Sequence, residues 1–225
     1  PQAAITESFR GLRTNIQYML KSPEHKVIGV NSMYVREGKT FVSSNLSSIL
    51  AINNKRVLLI DADMRKPRMH KVMQMKNDKG LSTFLNNKHA VEEIINPTRV
   101  KGLDFIPAGP IPMYPAELIN NGPLQQLIDW GRENYDFVVI DNAPTDLVSD
   151  SLLISRFTDL NVYVLRLKYS KKGEITSINK MRRDGTMKNL AVALNDVTPD
   201  ASGKSFKGYG YYREVKAKKT SSATS

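Results

Sequence analysis

A short stretch that ends in Gly38-Lys39-Thr40 has the residue types needed to bind a triphosphate. Glycine lets the backbone approach the phosphates, lysine places a cation beside the β and γ oxygens, and the threonine hydroxyl is a ligand for Mg²⁺. The stretch lies between an apolar run and a segment with helical periodicity, so the amides that open this helix would face the anion. It departs from the full phosphate-loop pattern because Met33 stands at the first glycine position. We expect Lys39 to face solvent when no nucleotide is bound.

Three aspartates come at the ends of apolar runs. Asp61 and Asp63 end the run VLLIDAD, and Asp141 ends the run FVVID. Side chains alternate along a strand, so Asp61 and Asp63 would share one face, and ligands of open α/β sheets bind beyond the carboxyl ends of the strands. One such aspartate would be explained as a cap of the following helix, but three beside Gly-Lys-Thr favour a site that holds Mg²⁺ directly or through water. Spacing does not decide which aspartate binds metal and which accepts a proton.

Apolar runs that are rich in β-branched residues alternate with helical segments along most of the chain. This alternation predicts an α/β fold of the P-loop NTPase type, in which a mostly parallel sheet has helices on both faces and so forms three layers. The six predicted strands are 26–32, 56–62, 103–109, 136–142, 161–167 and 190–196.

Two segments lie outside this core. Residues 5–20 predict an amphipathic helix on which Glu7, Arg10 and Arg13 fall in one row beside an apolar stripe that includes Met19. Residues 201–225 are rich in glycine, serine and lysine and predict a flexible tail. The predicted organisation is an N-terminal helix at 1–22, a core at 23–200 that carries the phosphate loop and would bind ATP, and a basic, tyrosine-rich tail at 201–225.

Composition narrows the function further. The 225 residues include no cysteine, which excludes disulfides, thiolate metal sites and cysteine nucleophiles. No apolar run approaches the roughly 18 residues of a membrane span and no secretory signal is seen, so we expect a soluble, cytosolic chain. The net charge of +11 is concentrated in residues 166–188, which carry +6, and in residues 203–225, which carry +5. Charge confined to a helix and a tail does not indicate a nucleic-acid partner; beyond solvated lysines, it suits an acidic membrane surface or a bound phosphate.

The chain carries a set of motifs with defined spacing. They are EGKT at 37–40, the D-x-D-x-R of Asp61, Asp63 and Arg65, Asp141 in VVIDNAP, the E-x-x-R-x-x-R of Glu7, Arg10 and Arg13, and the tail tyrosines Tyr209, Tyr211 and Tyr212. These motifs resemble those of the bacterial protein-tyrosine kinases of the capsule and exopolysaccharide machinery, over nearly the whole chain. The chain departs from the family pattern in the phosphate loop, where Val35 and Arg36 replace a usual Pro-Gly, and in Asn142-Ala143, where Thr-Pro is more usual.

The resemblance implies a role for each matching residue. It implies that Asp61 receives the proton of the attacking tyrosine hydroxyl and that Asn195 contacts the adenine base. The implied catalytic residues are Lys39, Asp61, Asp63 and Arg65; the nucleotide-binding residues are Glu37, Gly38, Lys39, Thr40, Phe41 and Asn195; the metal ligands are Thr40, Asp63 and Asp141. The implied phosphorylation sites are Tyr209, Tyr211 and Tyr212, and the implied subunit interface is formed by Glu7, Arg10 and Arg13.

The resemblance also implies a setting. The cofactors would be ATP and Mg²⁺, and the chain would assemble with itself in a head-to-tail ring in which each subunit phosphorylates a neighbour's tail. The further partners would be a membrane polysaccharide co-polymerase segment, fused or separate, and a cognate tyrosine phosphatase, with no nucleic acid. The location would be the cytoplasmic side of the inner membrane. The chain would be either the excised domain of a longer membrane protein, which its start near the E-x-x-R-x-x-R motif favours, or a stand-alone kinase.

Two other functions stay open on the residues. A partitioning or positioning ATPase would share the sheet and the Gly-Lys-Thr, but it should carry a lysine at the start of the loop, and none occurs between Met33 and Glu37. A weakly active interaction module derived from the kinase is suggested by Val35 and Arg36. The mass of the chain after incubation with ATP and Mg²⁺ distinguishes the three functions.

Overall fold

Parallel strands form the centre of the computed structural model, which describes residues 2–24, 26–145, 150–187 and 189–197. The strands are β1 (Val27–Asn31), β2 (Val57–Asp61), β3 (Asn96–Pro97), β4 (Leu103–Ile106), β5 (Phe137–Asp141), β6 (Leu160–Arg166) and β7 (Leu190–Asn195). They form one sheet in the order β3-β4-β2-β5-β1-β6-β7, in which every neighbouring pair is parallel except β3 and β4. The predicted α/β sheet is therefore confirmed.

All six predicted strands are present; five are somewhat shorter than their apolar runs, and β6 keeps its length but begins one residue earlier. The central strands are apolar throughout because helices cover both faces of the sheet. Strand β3, which was not predicted, has two residues and pairs antiparallel with β4 at the sheet edge. A strand of two residues that contains Pro97 has no detectable periodicity, and proline is confined to such edge positions because it lacks a ladder donor.

Helices lie on both faces of the sheet, as a three-layer fold requires. Alternating side chains of β2 show the two faces, since Leu58 and Ile60 belong to one buried cluster and Val57 and Leu59 to the other. The helices are α1 (Gln2–Met19), α2 (Lys39–Ala51), α3 (Met69–Met73), α4 (Leu81–Leu85), α5 (Val91–Ile94), α6 (Pro115–Asn121), α7 (Leu124–Asn134), α8 (Asp150–Ser155) and α9 (Lys172–Arg183). Helices α1 and α2 pack in the second cluster, whereas α4, α6, α7 and α8 pack in the first.

Helix α1 lies against α2 by its apolar stripe. Phe9 and Ile16 are buried in the cluster that α2 shares, and Leu12 packs partly against it. Met19 is exposed, so its predicted place in the stripe is wrong; it is the last residue of a helix that ends one residue earlier than expected. The predicted N-terminal helix is otherwise present.

The elements from α1 to β7 belong to one compact unit that ends at Asn195. Within the described ranges, no helix is both long enough and apolar enough to cross a membrane. The predicted tail at 201–225 and its tyrosines Tyr209, Tyr211 and Tyr212 lie outside the described residues.

Candidate active site

The phosphate loop connects β1 to α2 and brings its backbone close to a neighbouring strand end. Gly38 precedes α2 with φ 95°, a left-handed conformation that favours glycine. A Cβ atom added to Gly38 would lie 2.0 Å from Nδ2 of Asn195, which ends β7. Glycine is therefore required here both by backbone angle and by space, and the first-turn amides of α2, which have no intrahelical acceptor, are left available to an anion.

Four side chains converge at the start of α2. The Lys39 ammonium lies 2.8 Å from Oδ1 of Asp141, and the Thr40 hydroxyl donates to Oδ2 of the same carboxylate at 2.8 Å. Ser43, one helical turn after Lys39, donates to Asp141 Oδ1 at 2.9 Å. The expectation that Lys39 faces solvent is wrong: only 7% of this residue is exposed, because the buried Asp141 carboxylate at the end of β5 attracts it inward.

Asp61 lies beside this cluster. It ends β2 and is the register partner of Asp141 across the parallel pair β2–β5. Its carboxylate accepts the amides of Asp63 at 3.1 Å and Met69 at 3.3 Å. Burial, followed by repulsion from the Asp141 carboxylate, raises the pKa of Asp61 to about 8, and the Lys39 ammonium offsets part of that rise. A carboxyl group with this pKa can accept a proton near neutral pH.

Asp63 and Arg65 occupy different surroundings from those expected. Strand β2 ends at Asp61, so strand alternation does not apply to Asp63, whose half-buried carboxylate accepts the Lys66 amide at 3.1 Å. Arg65 forms a two-point ion pair with the buried Asp150 at the start of α8, through Nε at 2.8 Å and Nη2 at 3.1 Å. Of the predicted catalytic residues, the structure thus brings Lys39 and Asp61 together, whereas Arg65 contacts α8.

The remaining predicted nucleotide-binding residues also have partners within the chain. The Asn195 amide donates to the Glu37 carbonyl oxygen at 3.0 Å, so Asn195 supports the loop backbone. Glu37 is completely buried, and its carboxylate accepts the Tyr34 amide at 2.8 Å and the Ser170 hydroxyl. The Glu37 side chain therefore contacts the protein interior, and a nucleotide would meet only its backbone.

Phe41 connects the loop helix to the N-terminal helix. The residue is 45% exposed, and its ring meets that of Phe9 on α1 edge to face, with centroids 5.6 Å apart. Such an aromatic pair contributes about 0.5–1.5 kcal/mol beyond its burial. Phe41 thus fixes α1 near the first turn of α2.

The row on α1 divides into two parts. Glu7 and Arg10 form an exposed ion pair one turn apart. Arg13 is half-buried and donates from Nη1 to the Ile49 carbonyl at 3.3 Å, near the end of α2. Two residues of the predicted interface are therefore exposed, while the third holds α1 against its own core.

Several residues that surround the site were not predicted from the sequence. Ser43 had a detectable signal, since it follows Lys39 by four residues and so lies on the same helix face. Ser170 and Glu174 had none: they meet the phosphate loop from a segment more than 130 residues away. Contacts over that separation depend on the pairing of β6 with β1, which the sequence pattern does not specify.

The donor set fits a nucleotide with a bound Mg²⁺. Lys39 supplies a cation, Thr40 a hydroxyl and Asp141 a carboxylate, all at the end of the sheet where ligands of such folds bind. Mg²⁺ is ordinarily held through one or two carboxylates together with phosphate oxygens and waters, and this cluster offers that combination.

Comparisons with known proteins agree with this geometry. A family model described as an AAA domain matches residues 25–191. The chain is 34% identical over 204 residues to a putative tyrosine-protein kinase in the cps region of Klebsiella pneumoniae, covering 91% of this chain and 28% of that protein. It is 31% identical over 210 residues to CapB of Staphylococcus aureus, a putative tyrosine-protein kinase, covering 93% of this chain and 92% of CapB.

A solved structure shows the same fold. The kinase domain of the Escherichia coli tyrosine kinase ETK superposes with a TM-score of 0.83 at 30% identity, covering 92% of this chain and 81% of that domain. The relatives differ in length, since the chain spans 28% of the Klebsiella protein but nearly all of CapB.

Proposed function

The chain belongs to the bacterial tyrosine-protein kinase family, and we propose that it transfers the γ-phosphoryl group of ATP to tyrosine hydroxyls. The observation that supports this most is the cluster of Lys39, Thr40 and Asp141 with Asp61 beside it. The cluster combines a cation, a metal ligand and a proton acceptor at one strand edge. Phosphoryl transfer needs little more from a protein than positioning and the neutralisation of developing charge.

Each residue of the cluster has a separate task. The tyrosine oxygen bonds to the γ-phosphorus as the bond from that phosphorus to the β–γ bridging oxygen breaks, and the phenolic proton passes to Asp61. An ammonium group has three donors, so Lys39 can keep its contact with Asp141 while donating to a phosphate oxygen. Mg²⁺, when bound, neutralises the phosphate oxygens, and Thr40 and Asp141 are placed to hold it. The predicted roles of Asp63 as a further metal ligand, of Arg65 in catalysis and of Asn195 at the adenine base remain part of the proposal.

The substrate and the setting are proposals as well. We propose that the tail tyrosines Tyr209, Tyr211 and Tyr212 are phosphorylated in trans within a head-to-tail oligomer formed through α1. We further propose that this reaction takes place at the cytoplasmic face of the inner membrane, beside a polysaccharide co-polymerase segment, and that it regulates capsule or exopolysaccharide export. A tyrosine phosphatase would reverse it. The matches to kinases, one of them in a cps region, support this setting.

Intact mass after incubation with ATP and Mg²⁺ tests the activity. We expect the wild-type chain to gain several single phosphates, all mapped to tyrosine, and Asp61→Asn to gain none because its base is lost. Mixing ¹⁵N-labelled Asp61→Asn with unlabelled wild type tests transfer between chains, since phosphate on the heavy chain can only come from a neighbour. ATP hydrolysis without any mass gain would instead support the positioning-type ATPase, and neither result would support an interaction module.

A further inference from the structure

The segment 166–174, which leads from the end of β6 into α9, contacts the phosphate loop at four successive residues; we call this segment the clasp. The four contacts are Tyr169 hydroxyl to Val35 carbonyl at 3.1 Å, Arg166 Nη1 to Arg36 carbonyl at 3.2 Å, Lys171 ammonium 5.2 Å from the Tyr34 ring centre, and Ser170 hydroxyl to the Glu37 carboxylate.

The loop needs support of this kind. Arg36 has φ 69°, in the left-handed region. A residue with a Cβ atom adopts that conformation at a cost of about 1–2 kcal/mol. Strained backbone of this kind persists only where the surrounding structure holds it in place. The clasp supplies two hydrogen bonds to the carbonyls of Val35 and Arg36, at the strained position itself.

At the centre of the contact, two buried carboxyl groups face each other. Glu37 of the loop is 0% exposed and Glu174 of α9 is 1% exposed. One Glu174 oxygen accepts the Lys171 amide at 2.6 Å, and the other, Oε2, is buried without a hydrogen-bond partner among the described residues. The Glu37 carboxyl and the Ser170 hydroxyl both lie within hydrogen-bonding reach of the Glu174 carboxyl. Neither carboxyl forms an ion pair with any residue in the described part of the chain.

Two adjacent carboxylates cannot both be ionised in a buried site without a cation. A single proton shared by the two groups removes the repulsion. It forms a charge-assisted hydrogen bond between them, which is among the stronger kinds of hydrogen bond. Burial and the neighbouring Glu37 carboxyl both raise the pKa of Glu174, in agreement with the proton lying between the pair.

We infer that Glu174 is a positioning residue for nucleotide binding: it shares one proton with Glu37 and thereby holds the phosphate loop in the conformation that receives the phosphates. Glu174 touches no reacting atom and acts only through Glu37, which lies two residues before Lys39. The inference rests on the proposed function in that the loop must bind a nucleotide, but it does not depend on phosphoryl transfer.

Binding of a fluorescent ADP analogue to the full chain, with Mg²⁺ present, tests the inference without relying on activity. We expect Glu174→Ala to bind the analogue at least tenfold more weakly, because Glu37 loses the partner that fixes the loop. Glu174→Gln should bind within threefold of wild type at pH 7, since its amide can donate to a Glu37 carboxylate. Glu93→Ala is a matched control, because Glu93 caps α5 from the same helix position without touching the loop, and it should bind normally.

The pH profile distinguishes positioning from a purely structural role. Wild-type affinity should fall as rising pH removes the shared proton, whereas Glu174→Gln, whose donor does not titrate, should lack that part of the fall. The other titratable side chains that take part in contacts between the loop and the clasp are Tyr34, Tyr169, Arg166 and Lys171. Asp61 is present in both proteins, so the difference between the two pH profiles reports on the Glu37–Glu174 pair.

Each outcome has a defined meaning. Normal binding by Glu174→Ala, or superimposable pH profiles for wild type and Glu174→Gln, would overturn the inference. If Glu174→Ala does not fold, the comparison of wild type with Glu174→Gln still decides. Failure of the wild-type chain to bind ADP would overturn the proposed function, whereas binding that ignores position 174 would overturn only the inference.

Discussion

The phosphate-loop region and the outer face of α1 both carry charged residues at motif spacing, yet the charged side chains are buried in the first region and exposed in the second. Around the loop, Lys39, Asp141 and Glu37 are buried, and each has named hydrogen-bond partners. On α1, Glu7 and Arg10 pair with each other in solvent. A motif in sequence therefore does not say whether its charges are held within the chain or left for another molecule.

This difference determines where substitutions act. Breaking a buried ion pair strands a charge in the interior and costs about 3–5 kcal/mol. Removing one partner of an exposed pair changes stability by about 0–1 kcal/mol. Substitutions at the loop should therefore reduce both the stability of the fold and the phosphorylation activity. Substitutions on α1 should leave the stability almost unchanged and affect only the association of subunits.

The largest effect is expected for Lys39→Met. The substitution leaves the buried Asp141 carboxylate without its cation, so the free energy of unfolding should fall by about 3–5 kcal/mol, and tyrosine phosphorylation should disappear. Lys55→Met is the matched control, since Lys55 pairs with Asp136 at 3.3 Å and both side chains are about 40% exposed. It should cost no more than about 1 kcal/mol. Urea denaturation of both variants without nucleotide measures the difference; equal losses would contradict the contrast between buried and exposed pairs.

A smaller and pH-dependent effect is expected for Asp61→Asn. The pKa of Asp61 rises from 3.8 in the unfolded chain to about 8 in the folded one, chiefly through burial. The folded state then keeps a proton that the unfolded state releases, so wild-type stability is greatest below pH 4 for this group and falls as pH rises towards 8. The asparagine side chain does not titrate. The free energy of unfolding of Asp61→Asn, relative to that of wild type, should therefore be higher near pH 8 than at pH 5 by on the order of 2–3 kcal/mol.

Thermal unfolding of both proteins across pH 5–8.5 measures this gain. Asp63→Asn, two residues along the chain and half-buried, is a control that should keep the wild-type slope. Parallel pH profiles for wild type and Asp61→Asn would mean that the Asp61 carboxyl is ionised in the folded protein throughout this range.

The sequence predicted the sheet and the identity of the central cluster because both depend on local patterns. Apolar runs predict buried strands, and the carboxyl ends of parallel strands bring Asp61 and Asp141 together with the loop. It did not predict the inward position of Lys39 or the clasp. Both depend on which strands are neighbours and on how far a long side chain reaches, and neither property has a period along the chain.

Departures from the family pattern show the same limit. The sequence reveals that Arg36 replaces a usual glycine, but only the backbone shows that the position keeps the left-handed conformation glycine would adopt. The resulting strain and its support by Arg166 and Tyr169 are properties of the folded chain. The side-chain types at positions 35 and 36 therefore suggested a weakly active chain, whereas the structure shows that the clasp supports the loop through two hydrogen bonds to its carbonyls.

The smallest effect on folding is expected on the outer face of α1, where Arg10→Ala and Arg13→Ala separate two roles. Arg10 pairs only with Glu7 among the described residues and is exposed, so its loss should change stability by less than about 1 kcal/mol. Arg13 donates to the Ile49 carbonyl near the end of α2, where the helix dipole favours a cation. Arg13→Ala should therefore destabilise the chain more, by about 1 kcal/mol.

If the row forms a subunit interface, light scattering should give a smaller particle for Arg10→Ala than for wild type, with the unfolding curve nearly unchanged. Glu7→Ala should behave alike, because Glu7 and Arg10 form one exposed pair. An unchanged particle mass for both variants would mean that the row pairs only within its own helix and that α1 takes no part in assembly.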